Sequence, residues 1–277
     1  MSKRRPWIIG LSVVSLFSFC FSYYISIHWK EFSALWTSSC KTTAIAGLFL
    51  WLGFLLNSYQ TNLFLRKFNT RLRLFELISV THGMMLGNLI IPMRGGSGAL
   101  ALYLKRSKNL DYHKFAVIYG GTAILVAMVS ATMGLVALGY VARVFEIYEF
   151  TLLVALVSIL GGSVYLAFFL PSFNKKKDSG RVMKFLYRLN ESWIILSRDL
   201  ALMFKVAVSL ALINLSQAFA LYFIYQSVGK QLSLTSTLVV SSLGAVANLV
   251  PITPGSIGFF DAVIVETPRL LGLDTAS

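Results

Sequence analysis

Two stretches interrupt an otherwise apolar chain in the same way, and they constrain its fold more than any other feature. The first reads Asn88-Leu89-Ile90-Ile91-Pro92-Met93-Arg94-Gly95-Gly96-Ser97-Gly98, and the second reads Asn248-Leu249-Val250-Pro251-Ile252-Thr253-Pro254-Gly255-Ser256-Ile257-Gly258. Each begins Asn-Leu, passes through apolar residues to proline, and ends in a cluster of Gly and Ser. Proline removes a backbone donor and clashes with the preceding turn. Glycine adds backbone freedom where the helical bonds have been lost. The expectation is a helix broken twice at membrane depth, and paired interruptions of this kind point to a transport site. The competing reading is two ordinary interhelix turns, alike by chance.

The runs around these breaks reach the 18 or so residues that mark membrane spans. Full spans are expected at about 7–27, 43–60, 115–140, 150–170 and 203–227. The first follows Lys3-Arg4-Arg5 and, with no clear small-residue cleavage site, reads as a retained signal anchor. The longest polar stretch, 171–202, is too short for a second domain. Residues 1–277 are therefore read as a single integral membrane domain: an all-α polytopic protein with about five full spans and two re-entrant hairpins. Cys20 and Cys40 are read as free thiols, one in an apolar run and one in a loop.

A net charge of +14 could indicate nucleic acid, but the basic residues lie between spans. They serve better as orientation signals and contacts to anionic lipid. With the N-terminus in the cytoplasm, the inner segments carry three Lys and Arg before the first span, four in 61–73, four in 105–114 and seven in 171–202. The outer side holds Lys30, Lys41, Arg143, Lys230 and Arg269. This predicts a plasma-membrane protein with its N-terminus inside. Both flanks of 74–104 are basic, so that segment must enter and return on one side. Its returning leg, Met93 to Leu104, would make ~18 Å of helix, too short for a ~30 Å core. Three spans then separate it from 234–271, which must enter from the opposite face. Two like hairpins entering from opposite sides make an inverted repeat.

Val182, Phe185, Leu186, Leu189, Trp193 and Leu196 recur at helical spacing, with Lys184, Arg188, Glu191 and Arg198 between them. The stretch 181–200 reads as an amphipathic helix on the cytoplasmic surface, either as topological padding or to gather anionic lipid. Ala127, Ser130, Ala131 and Gly134 suit close helix packing. Asn214 and Gln217 either line a cavity or bond between helices.

No catalytic constellation and no metal-ligand spacing is present. His28, His82 and His113 lie far apart in sequence, and no phosphate-binding nucleotide loop occurs, so no cofactor is expected. Arg94 is the strongest candidate for binding. A permanent charge at a helix break near the midplane is costly, and Arg can hold a phosphate with two parallel donors. The N–H groups of Gly95, Gly96, Ser97 and Gly98 would open the returning leg and add positive potential. The alternative is an internal ion pair with Glu76 or Asp261. Asn88, Asn248, Pro254, Gly255, Ser256, Gly258 and Asp261 complete the candidate substrate-binding set. Asp261 is expected to cap the second leg or to pair with Arg94.

At its two breaks the chain resembles the flippase-like transmembrane region of lysylphosphatidylglycerol synthetases. Pro92, Arg94 and Gly95-Gly96, running on to Tyr103-Leu104-Lys105, match the first signature of that family. Pro251, Pro254, Gly255, Gly258 and Asp261 match the second. Ser97 stands where many relatives carry Glu, and Leu100 where many carry a second Arg. Relatives usually continue with further spans, and these 277 residues include no soluble aminoacyl-transfer domain, so lysine transfer is not implied. The resemblance implies translocation of an anionic or polyprenyl-phosphate-linked lipid between leaflets, driven downhill or by an ion gradient. The alternatives are a membrane-embedded lipid or glycolipid transferase, with Asp261 as its acid or base, and a scaffold subunit of an envelope-synthesis complex. Membrane lipids are the expected partners. Self-association and envelope-synthesis proteins remain open, and nucleic acid is excluded.

Overall fold

A computed structural model of the protein describes residues 26, 29, 40–91, 94–168, 181–250, 256 and 258–272. The span expected at 7–27 and Cys20 lie outside the described residues, Ser26 apart. Among the described residues the elements are all helices: α1 Cys40–Lys67, α2 Leu74–Ile90, α3 Gly95–Lys108, α4 Tyr112–Phe145, α5 Phe150–Phe168, α6 Arg181–Ser197, α7 Leu200–Ser227, α8 Leu234–Ala247 and α9 Phe259–Leu270. Four contain stretches long and apolar enough to cross a membrane: Lys41–Lys67, Tyr112–Phe145, Phe150–Ala167 and Leu200–Ser227. The chain is an all-α polytopic membrane protein. α1 and α4 outrun the expected spans because their polar ends stay helical beyond the apolar stretch. Arg66 and Lys67, for instance, close α1 with charge that suits a helix C-terminus. Cys40, expected in a loop, is instead the first residue of α1.

The most extensive contact joins α1 to α7. Small residues make it. Ala46 and Ala220 are buried, and Gly53 faces the Ser216 hydroxyl. Ser216 Oγ donates to the Phe49 carbonyl at 2.5 Å and Ser209 Oγ to that of Leu56 at 3.3 Å. Phe49 stacks on Phe219 with centroids 4.9 Å apart. Without a hydrophobic drive between helices in lipid, such close approach and hydroxyl bonding is what holds them.

A polar junction ties α7 to α4 and α8. Asn214, 2% exposed, donates to Ser130 Oγ and Ser242 Oγ, both at 3.2 Å. It accepts from Ser241 Oγ at 2.7 Å. The amide is thereby fully used between helices. Of the two readings open from sequence, bonding between helices is the one seen for Asn214. Gly134 lies against Leu156 and Ser242, so the small-residue stripe of α4 packs as expected. Asn214→Leu keeps the branched shape of the side chain and strips three hydroxyls of their common partner. It is expected to cost about 1–2 kcal/mol, read as a lowered unfolding temperature in detergent. An unchanged temperature would show that the junction adds nothing.

Two buried clusters flank this junction. One gathers Phe64, Leu65, Leu104, Val117, Trp193 and Val206. The other gathers Ala131, Val141, Leu156, Val239 and Leu271. Beside the first, helix ends are tied by ion pairs: Lys67 with Asp199 at 2.6 Å, Lys105 with Asp111 at 2.5 Å and Lys108 with Glu76 at 2.9 Å. Hydrogen bonds from Tyr103 and Lys108 draw the Glu76 carboxyl down to about 2. His82, a histidine singled out in sequence, bonds the Ile78 carbonyl at 2.7 Å and sits edge-on to Phe54, which is a packing role.

Candidate functional site

The first break starts where α2 meets Pro92. The residue before a proline is pushed out of the α region, and Ile91 is extended at φ −98°, ψ 124°. Pro92 and Met93 lie outside the described residues. The chain re-enters a helix at Arg94, the N-cap of α3, in the left-handed region at φ 55°, ψ 45°. A non-glycine residue there is strained and notable near a binding site. The two legs then touch backbone to backbone. A side chain at Gly87 would meet Gly96 Cα at 2.8 Å. The expected returning leg, Met93 to Leu104, is in fact Gly95–Lys108, because its basic last turn stays helical.

One asparagine ties the tip together. Asn88 Oδ1 accepts from the Ser97 N–H at 2.9 Å, and Asn88 Nδ2 donates to Tyr119 Oη at 3.3 Å. The Ser97 hydroxyl lies 2.5 Å from Tyr119 Oη. Asn88 therefore acts as the cap that α3 lacks in Arg94. Of the glycine cradle read from sequence, the Ser97 N–H has a partner within the protein, and Gly96 is buried against α2. Gly95 is half-buried and Gly98 exposed.

The Arg94 side chain reaches across to the second break. Its Nη2 donates to the carbonyl of Asn248, the C-cap of α8. The C-terminus of a helix carries partial negative charge, so the guanidinium sits where a dipole, rather than a carboxylate, attracts it. It also lies over the Tyr119 ring, with Cζ 5.9 Å from the centroid. Such a stack adds about 0.5–2 kcal/mol of attraction. Neither acid considered from sequence pairs with it. Glu76 holds Lys108 and Tyr103, and Asp261 Oδ2 accepts the Gly258 N–H at 3.0 Å. Of the two roles expected for Asp261, capping the second leg is the one seen.

The second break also carries positive φ angles. Ser256 is left-handed at φ 57°, and Gly258, the N-cap of α9, lies at φ 91°. Ser256 is buried, its Oγ 3.4 Å from the Val250 carbonyl. Pro251, Pro254 and Gly255 lie outside the described residues. The α9 leg folds back on α8, with the Phe260 ring filling the space a side chain at Gly244 would need. The structure thus brings together Asn88, Arg94, Ser97 and Asn248, and leaves Gly98 and Asp261 exposed. Tyr119 escaped the sequence reading. The signal it offered was an aromatic pair with Phe115 at i,i+4, and the two rings do stack 5.6 Å apart.

The family described as lysylphosphatidylglycerol synthase TM region matches residues 7–277. The chain belongs to that family. No curated protein and no solved structure gives a significant match. The structure places both positions at which the sequence reading expected this chain to differ from other lysylphosphatidylglycerol synthase TM-region proteins. Ser97 sits in the Asn88–Tyr119 cluster. Leu100, 6% exposed, packs in the core beside Leu104. The site described here is accordingly built on one arginine.

Proposed function

We propose that the protein moves an anionic lipid, a phospholipid or a polyprenyl-phosphate-linked lipid, between the two leaflets of the plasma membrane, with its N-terminus in the cytoplasm. The observation that carries this reading is the placement of Arg94. It is half-buried at a helix break, bonded to the helix end of the second break and unpaired with any carboxylate among the described residues. A lipid phosphate is a stronger acceptor than a carbonyl for a guanidinium, and bidentate besides. It would compete with Asn248 for Arg94 and so loosen the two tips from each other. Asn88, Ser97, Tyr119, Gly95, Gly96 and Gly98 shape the first side of the site. Asn248, Ser256 and Gly258 shape the second.

The same reading takes the two hairpins as an inverted repeat. The legs α2, α3, α8 and α9 have 17, 14, 14 and 12 residues, so at 1.5 Å per residue none reaches ~30 Å. Cysteines at Arg71 and Ser107, both exposed, avoid the strained left-handed positions Asn69 and Asn109. Impermeant labelling should reach both from the cytoplasm only. Labelling of the two from opposite sides would make the first hairpin a complete crossing and remove the repeat. The activity itself is read with the purified protein in liposomes. Faster exchange of a fluorescent anionic lipid than in protein-free vesicles supports translocation. Product formed from a lipid-linked sugar would point to a transferase, and neither result would leave a scaffold.

A further inference from the structure

The translocation reading leaves α6 unexplained. This helix is firmly seated. Trp193 lies so close to α4 that a side chain at Gly121 would meet its ring at 2.7 Å, and its Nε1 donates to the Ala167 carbonyl at 3.3 Å. Leu196 and Ser192 are buried on the same side. The N-terminal half of α6 stands off from the start of α4 and leaves a cleft of about 310 Å³ lined by His113, Lys184, Phe185 and Arg188.

Among the described residues the lining is cationic, with no acid in it. Lys184 and Arg188 are four apart and so project from one face. Neither forms an ion pair among the described residues. Two nearby carboxylates among the described residues are engaged elsewhere: Asp111 holds Lys105 at 2.5 Å, and Glu191 accepts from Tyr187. Lys114 adds charge beside the cleft, its Nζ 5.8 Å from the Phe68 ring. Beside these charges stand exposed apolar side chains, Met183 at 42% and Phe185 at 41%. Basic and apolar groups side by side on an amphipathic helix suit the boundary between headgroups and acyl chains.

We propose that the cleft between α6 and the start of α4 binds the phosphate headgroup of an anionic membrane lipid, with Lys184 and Arg188 as its cationic wall, His113 as a further polar contact and Phe185 against the first carbons of the chain. A free phosphate would use the same cations but would have no use for the apolar rim. The site is separate from Arg94. His113 and Tyr119 are six residues apart on α4 and face different sides of it.

The test uses the full chain in phosphatidylcholine liposomes that contain a phosphatidylglycerol bearing a photoreactive group near its headgroup. Adducts are expected on α6 and on the first turn of α4. Lys184→Gln should reduce their yield about fivefold, and Lys184→Gln with Arg188→Gln about 30-fold, the loss expected for roughly one surface charge and two. Arg143→Gln, at the far end of α4, removes one charge without touching the cleft and should leave the yield unchanged. Equal labelling in the double variant overturns the proposal, as does equal labelling by a photoreactive phosphatidylcholine. Loss of the adducts in millimolar inorganic phosphate would assign the cleft to soluble phosphate instead. Matched unfolding temperatures show that the variants are folded, and lipid exchange in the same liposomes reads the Arg94 site separately.

Discussion

Arg94→Ala is expected to remove most of the lipid exchange while leaving the helices in place. A hydrogen bond to a charged group contributes about 1.5–3 kcal/mol, so the rate should fall on the order of tenfold to a hundredfold. Arg94→Lys should fall between, since lysine supplies a point charge without the planar fork. The backbone offers a control that separates grip from stability. Arg94 occupies the left-handed region, which costs an L-residue about 1–2 kcal/mol and glycine almost nothing. Arg94→Gly should therefore unfold at a higher temperature than Arg94→Ala and be just as inactive. Asp261 holds the Gly258 N–H and not Arg94, so adding Asp261→Ala to Arg94→Ala should restore nothing. Full exchange in Arg94→Ala would end the phosphate-grip reading. Recovery in the double variant would assign Arg94 to charge balance.

Gly96→Ala is expected to have the largest effect on folding. A Cβ there would run into the Met84 carbonyl and meet Asn88 N at 2.6 Å and Gly87 C at 2.8 Å. All three are backbone atoms of α2, so no side chain can turn aside. Overpacking usually costs about 1–3 kcal/mol where side chains can adjust, and this clash should exceed that range and force the legs apart. Two residues on, a Cβ at Gly98 meets nothing within 4 Å. Gly98→Ala should be neutral, or slightly stabilising through helix propensity. The comparison is unfolding temperature and exchange rate for the two variants side by side. Similar behaviour would mean that the legs do not approach as described.

Much of this architecture could be read from residues alone, for identifiable reasons. An apolar run long enough to span a bilayer has few other uses, which is why α1, α4, α5 and α7 were foreseen. Pro92 pushes the residue before it out of the α region, which ends α2, and the basic, apolar and aromatic alternation of α6 fits an amphipathic helix. What stayed hidden were partners. Arg94 binds a backbone carbonyl at Asn248, and a carbonyl leaves no mark in a sequence, whereas the two carboxylates the sequence offers, Glu76 and Asp261, are engaged elsewhere. Tyr119 carries one hydroxyl on an apolar helix, which does not set it apart from core residues. Asn214 was visible as a polar residue in a span, but serines are too common to mark Ser130, Ser241 and Ser242 as its partners.

The way α2 and α3 are fastened bears on how the site could move. They are pinned at the base by Glu76 with Tyr103 and Lys108, further in by Gly87 on Gly96, and at the tip by Asn88 with Ser97. Legs joined at three levels cannot scissor apart without breaking all three. The hairpin can tilt only as a stiff lever, and its pivots are the short turns at Asn69 and Asn109, each with one left-handed asparagine. A 14-residue leg is about 21 Å long, so a tilt of about 5° at the base would carry the tip roughly 2 Å. That is enough to part a guanidinium from its carbonyl, so a small movement at the two turns reaches the far end of the hairpin as a made or broken contact.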